Sequence, residues 1–404
     1  MSENFTKASR SLVRNERLVP LSLRRAADEL PGNTNSGLPH FTQKSRVKES
    51  EIELATKGEA FPAILFWRGQ SGGPSEEDVK NRVVWGFPMS WSIREAAYTK
   101  PFLALIRQEP SFSAWGTLET TADAVHRLIG YARDRGKILY STDFSSFDQS
   151  VGPALGSFFW NAVRSSYPSS DWEELDAQQQ NVTNIPLVIS NHSVFSGEHG
   201  LSSGSGWTSL LGTGTHRLCQ TVLCEHLGVE WWAGNQVHGD DGVLALDKSV
   251  TPQMIDDGYA LFGLEANADK QFVGESDCVY LQRYYLEGHQ GGMYPSYRAL
   301  NSLMGQERFH DPDKWGPDMV VVRAIMILEN VKWNPLFKSL VKFVMDGDKY
   351  RLGADWPGGV TALLSPAVLR KARSIANLVP SYNQEDRIGA INEFETVKMI
   401  RELS

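Results

Sequence analysis

The stretch Val237-His238-Gly239-Asp240-Asp241-Gly242-Val243-Leu244-Ala245-Leu246 decides how the rest of the chain is read. Two apolar, strand-forming runs flank four turn residues, and Asp-Gly between hydrophobic runs is a strong hairpin signal. The plainest account is a turn made of good turn residues, with both acids in water. Gly239 argues for more, because glycine on both sides of the acids makes a tight loop in which backbone rather than bulk approaches a ligand.

A second pair of acids lies upstream. Ile138-Leu139-Tyr140-Ser141-Thr142 is a β-prone run that delivers Asp143 at its end, and Phe144-Ser145-Ser146-Phe147 leads on to Asp148. If the strand stops near Asp143 and the chain turns into a helix, both carboxylates face one cleft. Alone, two acids at this spacing are more often a helix start or surface residues. Charge repulsion links the two clusters. Carboxylates about 4 Å apart repel by roughly 4 kcal/mol at an effective dielectric of 20. Three that converge in a cleft protonate or splay unless a cation holds them. Oxygen-only ligands select Mg²⁺ or Mn²⁺. With His238 read as a strand residue rather than a ligand, acids from separate strands point to a two-metal phosphoryl-transfer site, its ions roughly 3.5–4 Å apart.

Between the clusters runs Gly200-Leu201-Ser202-Ser203-Gly204-Ser205-Gly206-Trp207-Thr208. A helix is predicted to follow, with Leu211, Leu218 and Val222 on one face and Gly228 as its stop. Gly-rich loops leading into helix N-termini bind anionic groups through backbone N–H groups and the helix dipole. The dinucleotide pattern breaks at Ser209 and no Lys follows the glycines, so neither a nicotinamide site nor a P-loop fits. The plain alternative is a loop with good N-cap residues.

Composition narrows the class. The 404 residues are 41% hydrophobic and 22% charged, which excludes disorder, collagen-like repeats and coiled coil. A formal net charge of -8 argues against a protein that coats nucleic acid all over, but leaves room for a locally basic channel. Cys219, Cys224 and Cys278 are too few and too irregular for a disulfide framework or a zinc site, which implies a reducing compartment. No apolar run approaches the roughly 20 residues of a membrane helix. The longest, Met319 to Leu328, carries Arg323, and the N-terminus with Arg10, Arg14 and Arg17 lacks a signal-peptide core. A soluble, intracellular protein with no membrane partner is expected. Trp231-Trp232, Trp160 and Trp172 read as packing residues, and the tail from Met293 as mostly helical.

The order D-x4-D, S-G-x-x-x-T, G-D-D resembles motifs A, B and C of the palm of viral RNA-dependent RNA polymerases. The residues are Asp143/Asp148, Ser203-Gly204 with Thr208, and Gly239-Asp240-Asp241. Within that group the chain is most similar to picobirnavirus-like polymerases of double-stranded RNA viruses. Thr34-Asn35-Ser36-Gly37-Leu38-Pro39, Arg82-Val83-Val84-Trp85-Gly86-Phe87-Pro88 and Ser203 to Thr208 carry this closer likeness.

The resemblance implies roles. Asp143 and Asp240 would be the principal ligands of two Mg²⁺ or Mn²⁺ ions, assisted by Asp241 and the Phe144 carbonyl. Asp148 would read the ribose 2′-OH of the incoming NTP. Ser203 and Gly204 would contact template or nucleotide, and Thr208 would shape the ribose pocket. Lys80 and Arg82, with Arg68 more loosely, would hold the triphosphate as motif F cations. Ser36-Gly37 resembles the template-entrance loop. Lys270 occupies the motif D position, where a lysine can protonate departing pyrophosphate as a general acid. Val279-Tyr280-Leu281-Gln282-Arg283 resembles motif E, which supports the primer end, with Arg283 toward RNA.

The implied fold is α+β, a right-hand polymerase with an antiparallel β-sheet palm. Its expected parts are fingers in 1–136, palm in 137–152, a fingers insert in 153–199, palm again in 200–290 and a mostly helical thumb in 291–404. The implied activity is transfer of a nucleoside monophosphate to an RNA 3′-OH with release of pyrophosphate. Partners would be RNA template and product, NTPs and a capsid protein, in the host cytoplasm and the virion interior. A reverse transcriptase-like enzyme and a non-catalytic RNA-binding relative are the alternatives. Two departures stand out. Gly212 occupies the position where many family members carry Asn for sugar selection. The chain before motif A is also short for the family, so either the fingers are compact, or the N-terminal extension belongs to a longer precursor or was never present.

Overall fold

Near-continuous apolar runs build the central sheet. The computed structural model describes residues 1–13, 17–71, 79–266, 271–306, 310–375, 378 and 385–404. Its strands are β1 (Ala63–Ser71), β2 (Val79–Gly86), β3 (Ile138–Thr142), β4 (Phe144–Ser145), β5 (Leu187–Ser190), β6 (Ser193–Phe195), β7 (Gln236–His238), β8 (Asp241–Leu246), β9 (Glu265–Ala266), β10 (Phe272–Gly274), β11 (Asp277–Tyr280) and β12 (Arg283–Leu286). One sheet has the order β10-β3-β8-β7, and its neighbouring strands pair antiparallel.

Successive strand residues point to opposite faces, yet Leu139 to Thr142 and Val243 to Leu246 are all buried. Both faces of this sheet are therefore covered. The Leu118–Asp134 helix packs on β3 and β8, the Thr208–His226 helix on β7, and β11 against β3 and β8. The first of these helices starts at Thr117, whose side chain accepts from the Thr120 N–H, and it buries Val125, Leu128 and Ile129. The second ends where the sequence pattern predicts, with Gly228 left-handed at φ 67°.

A second sheet, in the order β2-β1-β5-β6, joins the two stretches expected to form fingers. β1 pairs in parallel with β5 through Ala63↔Leu187 and Ile64↔Val188, and β5 turns back on β6.

The chain divides into two compact units, one of residues 1–67 and 83–281, the other of 68–82 and 282–404. The second unit thus joins the segment 68–82 to residues 282–404. Its division point falls in the two-residue turn Leu281-Gln282, both left-handed at φ 51° and 60°, inside the stretch likened to motif E.

The second unit is mostly helical, built around the Pro317–Glu329 helix, which is buried from Met319 onward apart from Val320. This explains the apolar run noted in the sequence as a core helix, in which the inward Arg323 donates to the Ser302 and Gly305 carbonyls. Among the described residues, no helix is long and apolar enough to cross a membrane. The buried Glu329 accepts from both the N–H and the hydroxyl of Thr396, anchoring the Glu395–Leu403 helix.

Arg283 corrects an expectation. It is 5% exposed, and its guanidinium donates to the carbonyls of Gly292 and Asn330 and to the Asn330 side chain. It also lies over the Tyr294 ring. A guanidinium committed to these acceptors is a brace within the second unit, not an RNA contact. Arg283→Ala should strand these buried acceptors and lower stability by on the order of 3 kcal/mol, read as the midpoint of chemical unfolding.

Candidate active site

The register of β3 against β8 assembles the acids. Thr142 pairs with Gly242 and Ser141 with Val243. The ladder ends at the first of these pairs, so Asp143, just after β3, and Asp241, the first residue of β8, flank the same end of the sheet. On the other side of β8, His238 pairs with Asp241, so Gly239-Asp240 is a two-residue hairpin loop. Gly239 has φ 59°, the left-handed conformation that favoured two-residue hairpin turns require. Asp240 is exposed at the tip, while Asp143 and Asp241 are half-buried.

The Thr208–His226 helix holds this turn by its backbone. The Gly239 N–H donates to Thr213 Oγ1 at 2.9 Å. His216 Nδ1 lies 2.8 Å from the Gly239 carbonyl. Because a carbonyl only accepts, Nδ1 carries the proton. Burial pushes the His216 pKa down to about 4, so the ring is neutral and adds no charge beneath the acids. The same cause holds His238 near 4. It ends a strand edge-on to Trp115, which agrees with its reading as a strand residue.

Asp148 sits, exposed, in the short Phe147–Ser150 helix that follows β4. Its carbonyl accepts from the Leu201 N–H at 2.6 Å, which docks the start of the Gly-Ser loop onto the D-x4-D segment. Gly212 is buried, and a Cβ there would stand 3.3 Å from both Leu201 and Phe147 side chains. A side chain there would press on both neighbours, which would have to shift by a few tenths of an ångström.

The loop itself is fastened on both sides. The Ser203 hydroxyl accepts from Trp85 N–H at 3.1 Å and lies 3.4 Å from the Val83 carbonyl. A Cβ at Gly204 would fall 1.8 Å from the Trp85 carbonyl oxygen, so only glycine permits this approach. Thr208 Oγ1 donates to the Ser202 carbonyl. On the far side, the Ser205 hydroxyl and the Gly206 N–H both reach the carboxylate of Glu95, on the Met89–Ile106 helix.

Gly37 abuts the Phe87 carbonyl, and the Ser36 carbonyl accepts from Met89 N–H. The 85–89 backbone thus lies between the 36–37 loop and the 203–204 loop. Ser36 is another correction. Its side chain is buried, donating to the Gly37 carbonyl and accepting from Thr42 N–H, so the hydroxyl shapes its loop and does not face RNA.

The cations are placed differently. Arg68 lies half-buried on β1, and Lys80 and Arg82 lie on β2 with Arg82 exposed. All three belong, with Arg283, to the second unit. Lys270 lies outside the described residues. Of the tryptophans, Trp160 is buried as expected, but Trp172 is 44% exposed. Its indole N–H caps the Arg164 and Tyr167 carbonyls instead of filling the core. Thr213, His216 and Glu95 were missed in the sequence, where each reads as an ordinary helical residue. A polar T-x-x-H stripe just after the motif B threonine was the available signal.

The donor set around Asp143, Asp240 and Asp241, with the Phe144 carbonyl, is oxygen throughout and suits a hard divalent cation. Among the described residues, no group of three or more His, Cys, Asp or Glu side chains makes a ready-formed cage. Mg²⁺ ordinarily needs no such cage, since one or two carboxylates together with water and substrate phosphates suffice.

Carboxylates at one end of a strand ladder, a braced Gly-Asp turn and a glycine-rich loop before a long helix fit a palm-type polymerase. The chain belongs to the viral RNA-dependent RNA polymerase family, whose model matches residues 73–299. It is 34% identical over 349 residues, 81% of its length, to a potential RNA-dependent RNA polymerase of a human picobirnavirus, and the match spans 64% of that relative. The crystal structure of the RNA-dependent RNA polymerase of a human picobirnavirus superposes with a TM-score of 0.86 at 28% identity, covering all of this chain and 80% of that one. An insertion-loop deletion mutant of such a polymerase gives 0.85 at 27% identity, covering 100% and 79%. The fold is the right-hand polymerase fold, and polymerases of this family use divalent metal ions.

The brace on the Gly239-Asp240 turn can be tested directly. Thr213→Val should leave the Gly239 amide without its acceptor, cost about 1–3 kcal/mol and raise that amide's hydrogen-exchange rate. Unchanged exchange would remove Thr213 from the turn's support.

Proposed function

We propose that this chain copies RNA from an RNA template, replicating and transcribing a viral genome by nucleotidyl transfer from NTPs to an RNA 3′-OH. The observation that carries this reading is the β3–β8 register, whose last pair, Thr142↔Gly242, is flanked by Asp143 on one strand and by Asp241, next to the exposed Asp240, on the other. Family membership and the likeness to picobirnavirus polymerases support it.

On this reading Asp143 and Asp240, with Asp241 and the Phe144 carbonyl, hold two Mg²⁺ or Mn²⁺ ions. Bound there, the ions lower the pKa of the attacking hydroxyl and neutralise charge on the transferring phosphate. The chain's own groups supply positioning. Asp148 accepts from the ribose 2′-OH, and because Gly212 contributes no side chain, sugar selection rests on Asp148 with Thr208, Ser209 or water. The Ser203–Gly204 backbone, fixed against β2, presents a rigid surface to template or nucleotide. Lys80, Arg82 and Arg68 are assigned to the triphosphate, and Lys270 to protonating pyrophosphate as it leaves. An acidic chain can still take RNA if its cations line the path while acids cover the outside. The work is placed in the host cytoplasm and the virion interior, with a capsid protein as partner.

The experiment is nucleotide incorporation on a defined RNA template, comparing NTPs with dNTPs and Mg²⁺ with Mn²⁺. We expect NTP incorporation that Asp240→Asn reduces by about 10²–10³-fold or more, the scale of losing one group that stabilises transition-state charge. Asp148→Ala should narrow the preference for NTPs. Equal use of dNTPs by the unaltered chain would favour a reverse transcriptase-like enzyme. No incorporation at all would favour a binding protein.

A further inference from the structure

We propose that Glu95 is a positioning residue for nucleotidyl transfer, whose carboxylate fixes the shape of the Ser203–Gly206 loop from behind. The inference rests on the polymerase reading above and adds to it a residue from a helix that carries no polymerase motif.

The geometry is specific. Glu95 is fully buried on the Met89–Ile106 helix. Its Oε1 accepts from the Ser205 hydroxyl at 2.6 Å and its Oε2 from the Gly206 N–H at 2.7 Å. Ser205 Oγ in turn accepts from Trp207 N–H at 3.1 Å, so its single proton is committed to Glu95. On the opposite side the loop touches β2 through Ser203 and Gly204. The residues proposed to meet template or nucleotide are therefore held between a strand and one carboxylate. Other loop contacts, such as Ser202 to the Val182 carbonyl and Trp207 Nε1 to Gln178, are neutral. Hydrogen bonds to an ionised acceptor are roughly twice as strong.

The polarity of these bonds favours the anion. Both partners donate, and a protonated carboxyl would turn one donor against them. The Gly206 N–H cannot accept, and Ser205 could accept only by giving up the present arrangement. Desolvation pushes the Glu95 pKa up to about 7, so the clamp changes state within the neutral range. The charged groups facing it are Arg94 of its own helix, which favours the anion, and Glu174 of the Trp172–Asn184 helix, which opposes it. These two are paired with one another. The Ser202–Thr208 loop brings no titratable side chain.

Stability and activity then respond oppositely to pH. A carboxyl whose folded pKa is raised contributes stability that is present at low pH and lost as pH rises through about 7. The loop geometry needs the form that dominates above that value. Acidification from pH 8 to 6 should therefore slow incorporation without unfolding the protein.

The test measures NTP incorporation, RNA affinity and thermal unfolding for the full chain, Glu95→Gln and Glu95→Asp between pH 6 and 8.5. Glu95→Gln keeps the shape but mimics the protonated acid. It should lower kcat about tenfold at pH 8, flatten the pH profile near 7, leave RNA affinity within twofold and not lower the unfolding midpoint at pH 8. Glu95→Asp should regain part of the pH step. A Gln variant with the rate and pH profile of the unaltered chain overturns the proposal. So does a loss of activity that tracks a fall in the unfolding midpoint, which would make Glu95 a purely structural residue. If the unaltered chain incorporates nothing at any pH, the polymerase reading falls first and this inference with it.

Discussion

Five consecutive residue pairs between β3 and β8 carry the rest of the structure. A strand register has a period of two, so a slip of one residue would turn every side chain to the opposite face. Here both faces are buried, and the slip would also move Asp143 away from Asp241. The hydrophobic core that fixes the ladder thus fixes the end of the sheet at which Asp143 and Asp241 lie. On the proposed reading, a divalent cation would offset the repulsion between carboxylates brought together there.

Around this pair, one helix does most of the positioning. Thr208–His226 begins at the loop, passes Gly212 against Phe147 and Leu201, and then offers Thr213 and His216 to the two polar groups of the Gly239 peptide. Its buried histidine is neutral, which keeps a hydrogen-bond donor under the turn without pulling on the carboxylates. The loop before it is clasped by β2 in front and by Glu95 behind. Polar groups buried this deeply are costly unless bonded, so their satisfaction against backbone makes them specific braces.

Much of this was legible in the sequence. The strand to Asp143, the hairpin at Gly239-Asp240, the helix after Thr208 and its stop at Gly228 follow from local chemistry: β-branched and apolar runs, turn glycines and a C-terminal glycine. Motif order carried the resemblance. What local chemistry does not encode is which way a polar side chain faces. Arg283 and Ser36 read as RNA contacts, yet both are buried against backbone acceptors. Trp172 read as packing, yet its indole caps carbonyls at the surface. Glu95 and His216 look like unremarkable helix residues until tertiary packing removes their water. Gly212 read as a departure from the family, and in the fold it packs against Leu201 and Phe147.

The central claim is that Asp143 and the Asp240-Asp241 turn meet around divalent ions. Anomalous diffraction from crystals grown with RNA, an unreactive NTP analogue and Mn²⁺ tests it most directly. The account predicts two manganese peaks roughly 3.5–4 Å apart, both within bonding distance of Asp143 and at least one within that of Asp240. Peaks bound elsewhere, or Asp143 carboxylate oxygens turned away from the metal while nucleotide is present, would contradict it.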